Sequence, residues 1–267
     1  FSVFSAIILG ITSALLVIIV RKIFPLPDYT SNPSWTNVIL VSFFSAGFIE
    51  ELAKFALIVG LIYKWTDFNE YYDGPLYAGL VGIGFAIYEN LGYMIKPLVK
   101  IIDTDVALNP SFLREIALKS LVQFRLYPGH FFLGFIAGYF IAKAKFEGVE
   151  KGKHRERIYI LSGFFVAVFL HGIFNLIAVK GNFIMFFGYV IFLLLIVVIL
   201  GWKSLRKSVF KKEIIERLPE RKKYLLKEIL LKSKEEKVTF DYVFFLAILI
   251  ILYQFFAYFM TYMISMI

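Results

Sequence analysis

The stretch "SAGFIEELAKFALIVGLIY", residues 45–63, decides the fold and poses the functional question at once. It is long and apolar enough for a membrane-crossing helix, yet it carries Glu50, Glu51 and Lys54 near its middle. A charge at the centre of a bilayer costs about 3 kcal/mol or more unless it is paired or wet, so residues of this kind point to function.

The rest of the chain supports the membrane reading. Of 267 residues, 60% are hydrophobic and 19% aromatic, with a mean hydropathy of +0.76, more than a soluble domain of this length needs. Long apolar runs separated by charged stretches predict an all-α fold, a polytopic transmembrane helix bundle of about seven spans. The expected spans are 1–20, 36–63, 76–98, 118–142, 157–179, 182–202 and 240–266. Trp35 and Trp65 flank the second, as interfacial aromatics do. Asp73-Gly74-Pro75 predicts entry into the third and Lys96-Pro97 exit from it. The first span lacks a basic leader and a small-residue cleavage site, so a retained helix is expected there. Three parts follow: a six-helix core over 1–202, a basic linker over 203–239, and a C-terminal membrane helix over 240–267. Within the linker, Leu225, Leu226, Ile229 and Leu230 form an apolar stripe suited to a helix lying on the membrane surface.

Lysine and arginine set the expected orientation. Lys64, the loop 143–157 and the segment 203–239 carry twenty of them, against six in the opposite loops. The positive-inside rule then places the N-terminus in the cytoplasm and the C-terminus outside. The net charge of +9 is therefore a matter of topology and anionic lipid, and nucleic acid is not an expected partner. The chain has no cysteine, which excludes disulfides, thiol catalysis and cysteine-held metal.

Ionisable residues on four spans share a depth. Glu50 lies near the centre of the second span, Glu89 of the third, His130 of the fourth and His171 close to that of the fifth. At about 1.5 Å per residue they fall within roughly one to two turns of one plane. His154, the remaining histidine, lies in a basic loop and Arg125 near an interface. Spacing adds partners: Lys54 is four residues after Glu50 and three after Glu51, so it can pair with either. It neutralises one carboxylate and leaves the other to protonate, pair elsewhere or meet water. Asn175 follows His171 by four, and Phe85 precedes Glu89 by four. Gly134 and Gly138 form a face that lets another helix approach closely. Taken singly, each motif also fits a structural ion network or an interhelical polar clip. Four helices delivering carboxylates, imidazoles and an amide to one plane fit a shared site better.

Such a set suits amide hydrolysis without a covalent nucleophile: a glutamate as general base, with imidazole and amide donors for an oxyanion. Neither a GxSxG nor an HExxH motif is present. "EELAK" at 50–54, "FAIYE" at 85–89, His130 and "HGIFN" at 171–175 occur in this order on successive spans. The ordered set resembles the PrsW family, a branch of the CAAX-protease and bacteriocin-processing superfamily of membrane peptidases. In the related CAAX endoproteases the second motif ends in histidine where this chain has Glu89.

The resemblance implies an intramembrane endopeptidase of a prokaryotic plasma membrane. It would make a site-1 type cut in a membrane-anchored, anti-sigma-factor-like protein near the extracytoplasmic face. Carried over by position, it implies Glu50 as general base, Glu51 and Lys54 in support with Phe85 beside them, Glu89 helping to hold water or a metal, His130 completing the polar site, and His171 with Asn175 at the oxyanion. The expected site is metal-free because Lys54 already carries a cation into it; the alternative is zinc on Glu89, His130 and His171. Two further alternatives are a proton- or ion-coupled transporter, although no internal repeat supports one, and a non-catalytic immunity or binding protein.

Overall fold

The computed structural model describes residues 2–24, 34–103, 129–148 and 151–216. Among them, every regular element is helical. Helix α1 covers Ser2–Ile23, α2 Trp35–Leu40, α3 Ile49–Gly60, α4 Asp73–Asp103, α5 Gly129–Lys143, α6 Lys153–Lys180 and α7 Phe183–Glu216. Three described segments are long and apolar enough to cross a membrane: Ser2–Ile23, Lys153–Lys180 and Ile184–Ser208. The expected count of seven is not established by the described residues. The linker stripe at 225–230, the seventh span and Arg125 lie outside them.

The chain divides into two units, residues 1–85 with 129–216 and residues 86–128 with 217–267. The described part of the second is the continuation of α4 from Ala86 to Asp103. All that follows concerns the first unit unless stated. Its outer surface carries the apolar side chains a lipid-facing bundle requires, with Ile8 and Ile19 on α1, Phe165 and Phe169 on α6 and Leu195 and Ile199 on α7 all exposed.

Two expected features of the spans differ. Residues 36–63 do not form one regular helix. Ser34 caps α2 by accepting from the Asn37 amide at 3.3 Å, and a wider π-helical segment over Val41–Phe48 then leads into α3. Packing against α6 accompanies the wider turn. Phe43 meets Phe169, Phe48 meets Phe164, and Gly47 leaves room for the α6 backbone, since a Cβ there would lie 3.0 Å from the Val168 carbonyl. The exit expected at Lys96-Pro97 is also passed, as α4 runs on to Asp103. Proline removes one amide and crowds one carbonyl of the preceding turn, a loss that helices in membranes tolerate.

Close approach depends on glycine. A Cβ on Gly84 would lie 2.0 Å from the Ile7 carbonyl, and one on Gly10 would lie 2.1 Å from that of Val81, so α1 and α4 cross backbone to backbone. The face expected at Gly134 and Gly138 is used in the same way against Ala78 and Gly74 of α4. Asp73 starts α4 as expected, accepting from the Asn69 amide at 2.8 Å and the Glu70 amide at 2.6 Å.

Segments that the charge count assigns to one side meet at one end of this unit. Ser2 donates to Asp67, and Lys145 donates to the carbonyls of Tyr63 at 2.7 Å and Trp65 at 3.3 Å. Glu147, in the turn after α5, accepts from Tyr71 and from Lys207 of α7, and Lys207 also donates to the Tyr71 oxygen at 3.0 Å. Partial burial opposes ionisation of Glu147. The hydrogen bonds from Lys207 and Tyr71 and the charges of Lys207 and Lys143 outweigh it, holding its carboxyl near 2 against an ordinary 4.5. Because the folded value is the lower one, the stabilisation is complete above pH 4.5 and is lost as the pH falls from there toward 2. Thermal unfolding in detergent is expected to show this: Glu147→Gln lowers the midpoint by about 1–3 °C at pH 6 and removes that part of the acid sensitivity.

Candidate active site

Adjacent residues on a helix point about 100° apart, so Glu50 and Glu51 cannot share a partner easily. The structure separates them. Glu51 turns into the bundle, 1% exposed, and one of its oxygens accepts from Lys54 Nζ at 2.6 Å. The same oxygen meets His171 Nδ1 of α6 at 2.7 Å. Lys54, 2% exposed, reaches His130 Nδ1 of α5 at 3.1 Å and lies 4.6 Å from the centre of the Phe85 ring of α4. His130 packs on Phe85 with ring centres 4.8 Å apart and stands edge-on to His171 at 5.1 Å. The ambiguity over Lys54 is thereby resolved in favour of Glu51.

Glu50 is also buried, at 4% exposure, and its cation comes from another helix. Arg21 Nη2, at the end of α1, donates to Glu50 Oε1 at 2.8 Å and to the Ser45 carbonyl at 3.2 Å. Glu50 Oε2 faces His171 Nε2 at 3.8 Å, a gap that one bridging water can span.

These contacts constrain protons. A carboxylate only accepts, so His171 Nδ1 is the donor to Glu51 and a neutral His171 has its lone pair on Nε2, toward Glu50. An ammonium only donates, so His130 Nδ1 accepts from Lys54 and a neutral His130 carries its hydrogen on Nε2.

The structure therefore brings Glu50, Glu51, Lys54, Phe85, His130 and His171 together. Asn175 lies one turn beyond His171 and is buried, with no hydrogen bond to this cluster among the described residues. Glu89 stands on α4 past Phe85, half-buried, in the second unit. His154 is exposed in the first turn of α6, as expected of a surface residue. Sequence reasoning missed Arg21, because a basic residue ending an apolar helix reads as an interfacial anchor.

Glu50, His130 and His171 each offer a donor atom within 4.8 Å of the others, a carboxylate and two imidazoles being a zinc-type set. The residues fit such an ion in type, with His130 offering it a lone pair only when Lys54 does not donate to Nδ1. Glu51 on His171 Nδ1 matches the carboxylate that commonly orients a ligating imidazole.

A helical bundle with buried carboxylates, imidazoles and a lysine at one point has the architecture of a membrane-embedded hydrolase. Comparison with known proteins agrees. Residues 2–201 match the family described as PrsW family intramembrane metalloprotease. The protein called Protease PrsW of Clostridioides difficile is 29% identical over 73% of this chain and 73% of its own length. Those of Oceanobacillus iheyensis and Bacillus subtilis are 28% and 30% identical, covering 55% and 63% of this chain and 59% and 65% of their own. No solved structure matches. The chain belongs to the PrsW family of intramembrane proteases.

The buried ion pair generates a stability prediction. Removing one member of such a pair leaves the other charged and unpaired, at a cost of about 3–5 kcal/mol. Lys54→Met is expected to lower the thermal midpoint in detergent by roughly 10 °C, and Glu51→Gln added to it to restore part of the loss.

Proposed function

We propose that this membrane protease cuts a single-span, anti-sigma-factor-like protein near the extracytoplasmic face, with Glu50 as the residue that activates water. One observation carries the reading: Glu50 and His171 face each other at 3.8 Å while each is tied on its far side, by Arg21 and by Glu51.

The roles follow from the donor inventory. Glu50 Oε2 takes a proton from water held between it and His171. His171, its Nδ1 hydrogen given to Glu51, presents the Nε2 lone pair; the proton taken by Glu50 passes to Nε2, donates there to the oxyanion, and moves to the leaving amine as the C–N bond breaks, which returns both residues to their starting forms. Glu51 and Lys54 orient His171 and His130. Asn175 supplies an amide one turn along the His171 face, and the FxxxE motif makes Glu89 a further candidate carboxylate by resemblance alone. The excess of lysine and arginine at Lys64 and over 143–157 and 203–239 supports a cytoplasmic N-terminus, with the cut on the opposite side.

The family description and the donor set support the alternative, in which Glu50 is not the base but a ligand, with His130 and His171, of a metal. Zinc bound there would supply a more acidic water and a Lewis acid for the carbonyl. Lys54 beside His130 favours the metal-free form, because its charge already occupies part of that place.

Glu50→Gln is expected to reduce cleavage of a reconstituted single-span reporter by about 1,000-fold or more while membrane insertion is retained. Undiminished cleavage by this variant would refute the assignment. Chelation separates the two forms: with a metal, 1,10-phenanthroline abolishes cleavage and added zinc restores it. Without one, activity is unchanged by either.

A further inference from the structure

We infer that Arg21 is a positioning residue for Glu50, fixing which of its two carboxylate oxygens faces His171; this deepens the peptidase reading and rests on it for the task given to Glu50. An arginine at the end of a membrane helix ordinarily turns its guanidinium outward to headgroups and water. Arg21 instead crosses from α1 to a carboxylate whose side chain is 5% exposed, while 43% of its own side chain stays accessible.

The geometry is specific. One nitrogen, Nη2, donates to both Glu50 Oε1 and the Ser45 carbonyl. Ser45 lies in the π-helical segment and Glu50 in the first turn of α3, and both acceptors lie within reach of one guanidinium nitrogen. The planar, permanently charged head of arginine suits two acceptors set side by side, where an ammonium would act as a point charge. With Oε1 fastened, Oε2 is the oxygen left facing His171 Nε2. Among the described residues, Arg21 from α1 and His171 from α6 face Glu50, while Glu51 and Lys54 on its own helix pair with each other. Rotation about the Glu50 side chain is therefore limited by a residue nearly thirty positions away in sequence.

Two measurements test the inference. The first uses proteoliposomes of phosphatidylethanolamine and phosphatidylglycerol holding a single-span anti-sigma-factor-type protein as probe. Arg21→Gln is expected to lower kcat about 10–100-fold with KM changed less than about 2-fold, as misplacement of a reacting group does. Arg21→Lys, which keeps the charge without the planar head, is expected to recover only part of kcat. An unchanged kcat in Arg21→Gln, or a raised KM at constant kcat, overturns the inference. The second needs no cleavage: thermal midpoints of Arg21→Gln, Glu50→Gln and the double variant. The double variant is expected to lose clearly less than the sum of the single losses, because removing both partners leaves no buried charge unpaired. Additive losses overturn the pairing. Failure of Glu50→Gln to affect cleavage, with coupling still present, refutes the role of Glu50 and leaves the pairing standing.

Discussion

Within this apolar bundle every charge needs an opposite charge, and one oxygen atom of Glu51 carries much of that requirement. It accepts from Lys54 on its own helix and from His171 on α6 at once. Lys54 in turn holds His130. Three helices are thus fixed in depth and rotation by a single carboxylate. Moving α6 by one residue would turn His171 away by about 100° and take its buried Nδ1 from the Glu51 acceptor, at a cost of about 1–3 kcal/mol.

Backbone shape makes these contacts reachable. Glycines let α1 and α5 press directly onto α4, which brings Arg21 and His130 within reach of side chains on α3. Gly172 lies against the Phe43 ring, where a Cβ would come within 2.2 Å, so the helix that carries His171 sits tightly on the π-helical segment before Glu50. Arg21 meets the Ser45 carbonyl of that segment and the Glu50 carboxylate of the helix that follows it. The placement of the polar cluster and the packing of the helices are here consequences of the same few small residues.

Much of this was legible before any coordinates. Apolar runs gave the helical membrane class, and the recurrence of Glu and His at one depth named Glu50, Glu51, Lys54, His130 and His171, which do converge. Their convergence follows from a simple limit: ionisable side chains in hydrocarbon are stable only together. Arg21 was not legible, because its position at the end of a helix is equally suited to lipid headgroups. The π-helical segment was not legible either, since the stretch Val41–Phe48 has the composition of an ordinary apolar helix. Pro97 misled in the other direction, because proline marks helix ends more reliably in water than in a bilayer.

By itself the sequence determined the class of the protein, the helices on which its ionisable residues lie, and that Lys54 could satisfy only one of two neighbouring carboxylates. Composition and spacing are local properties, and the cost of a buried charge does not depend on which partner meets it. Tertiary structure decided the pairing: Lys54 to Glu51, His171 turned by Glu51 toward Glu50, and Arg21 brought from α1 to the remaining carboxylate. Those choices depend on how closely and at what rotation helices distant in sequence approach each other, a matter settled by packing of whole helices and invisible to spacing along any one of them.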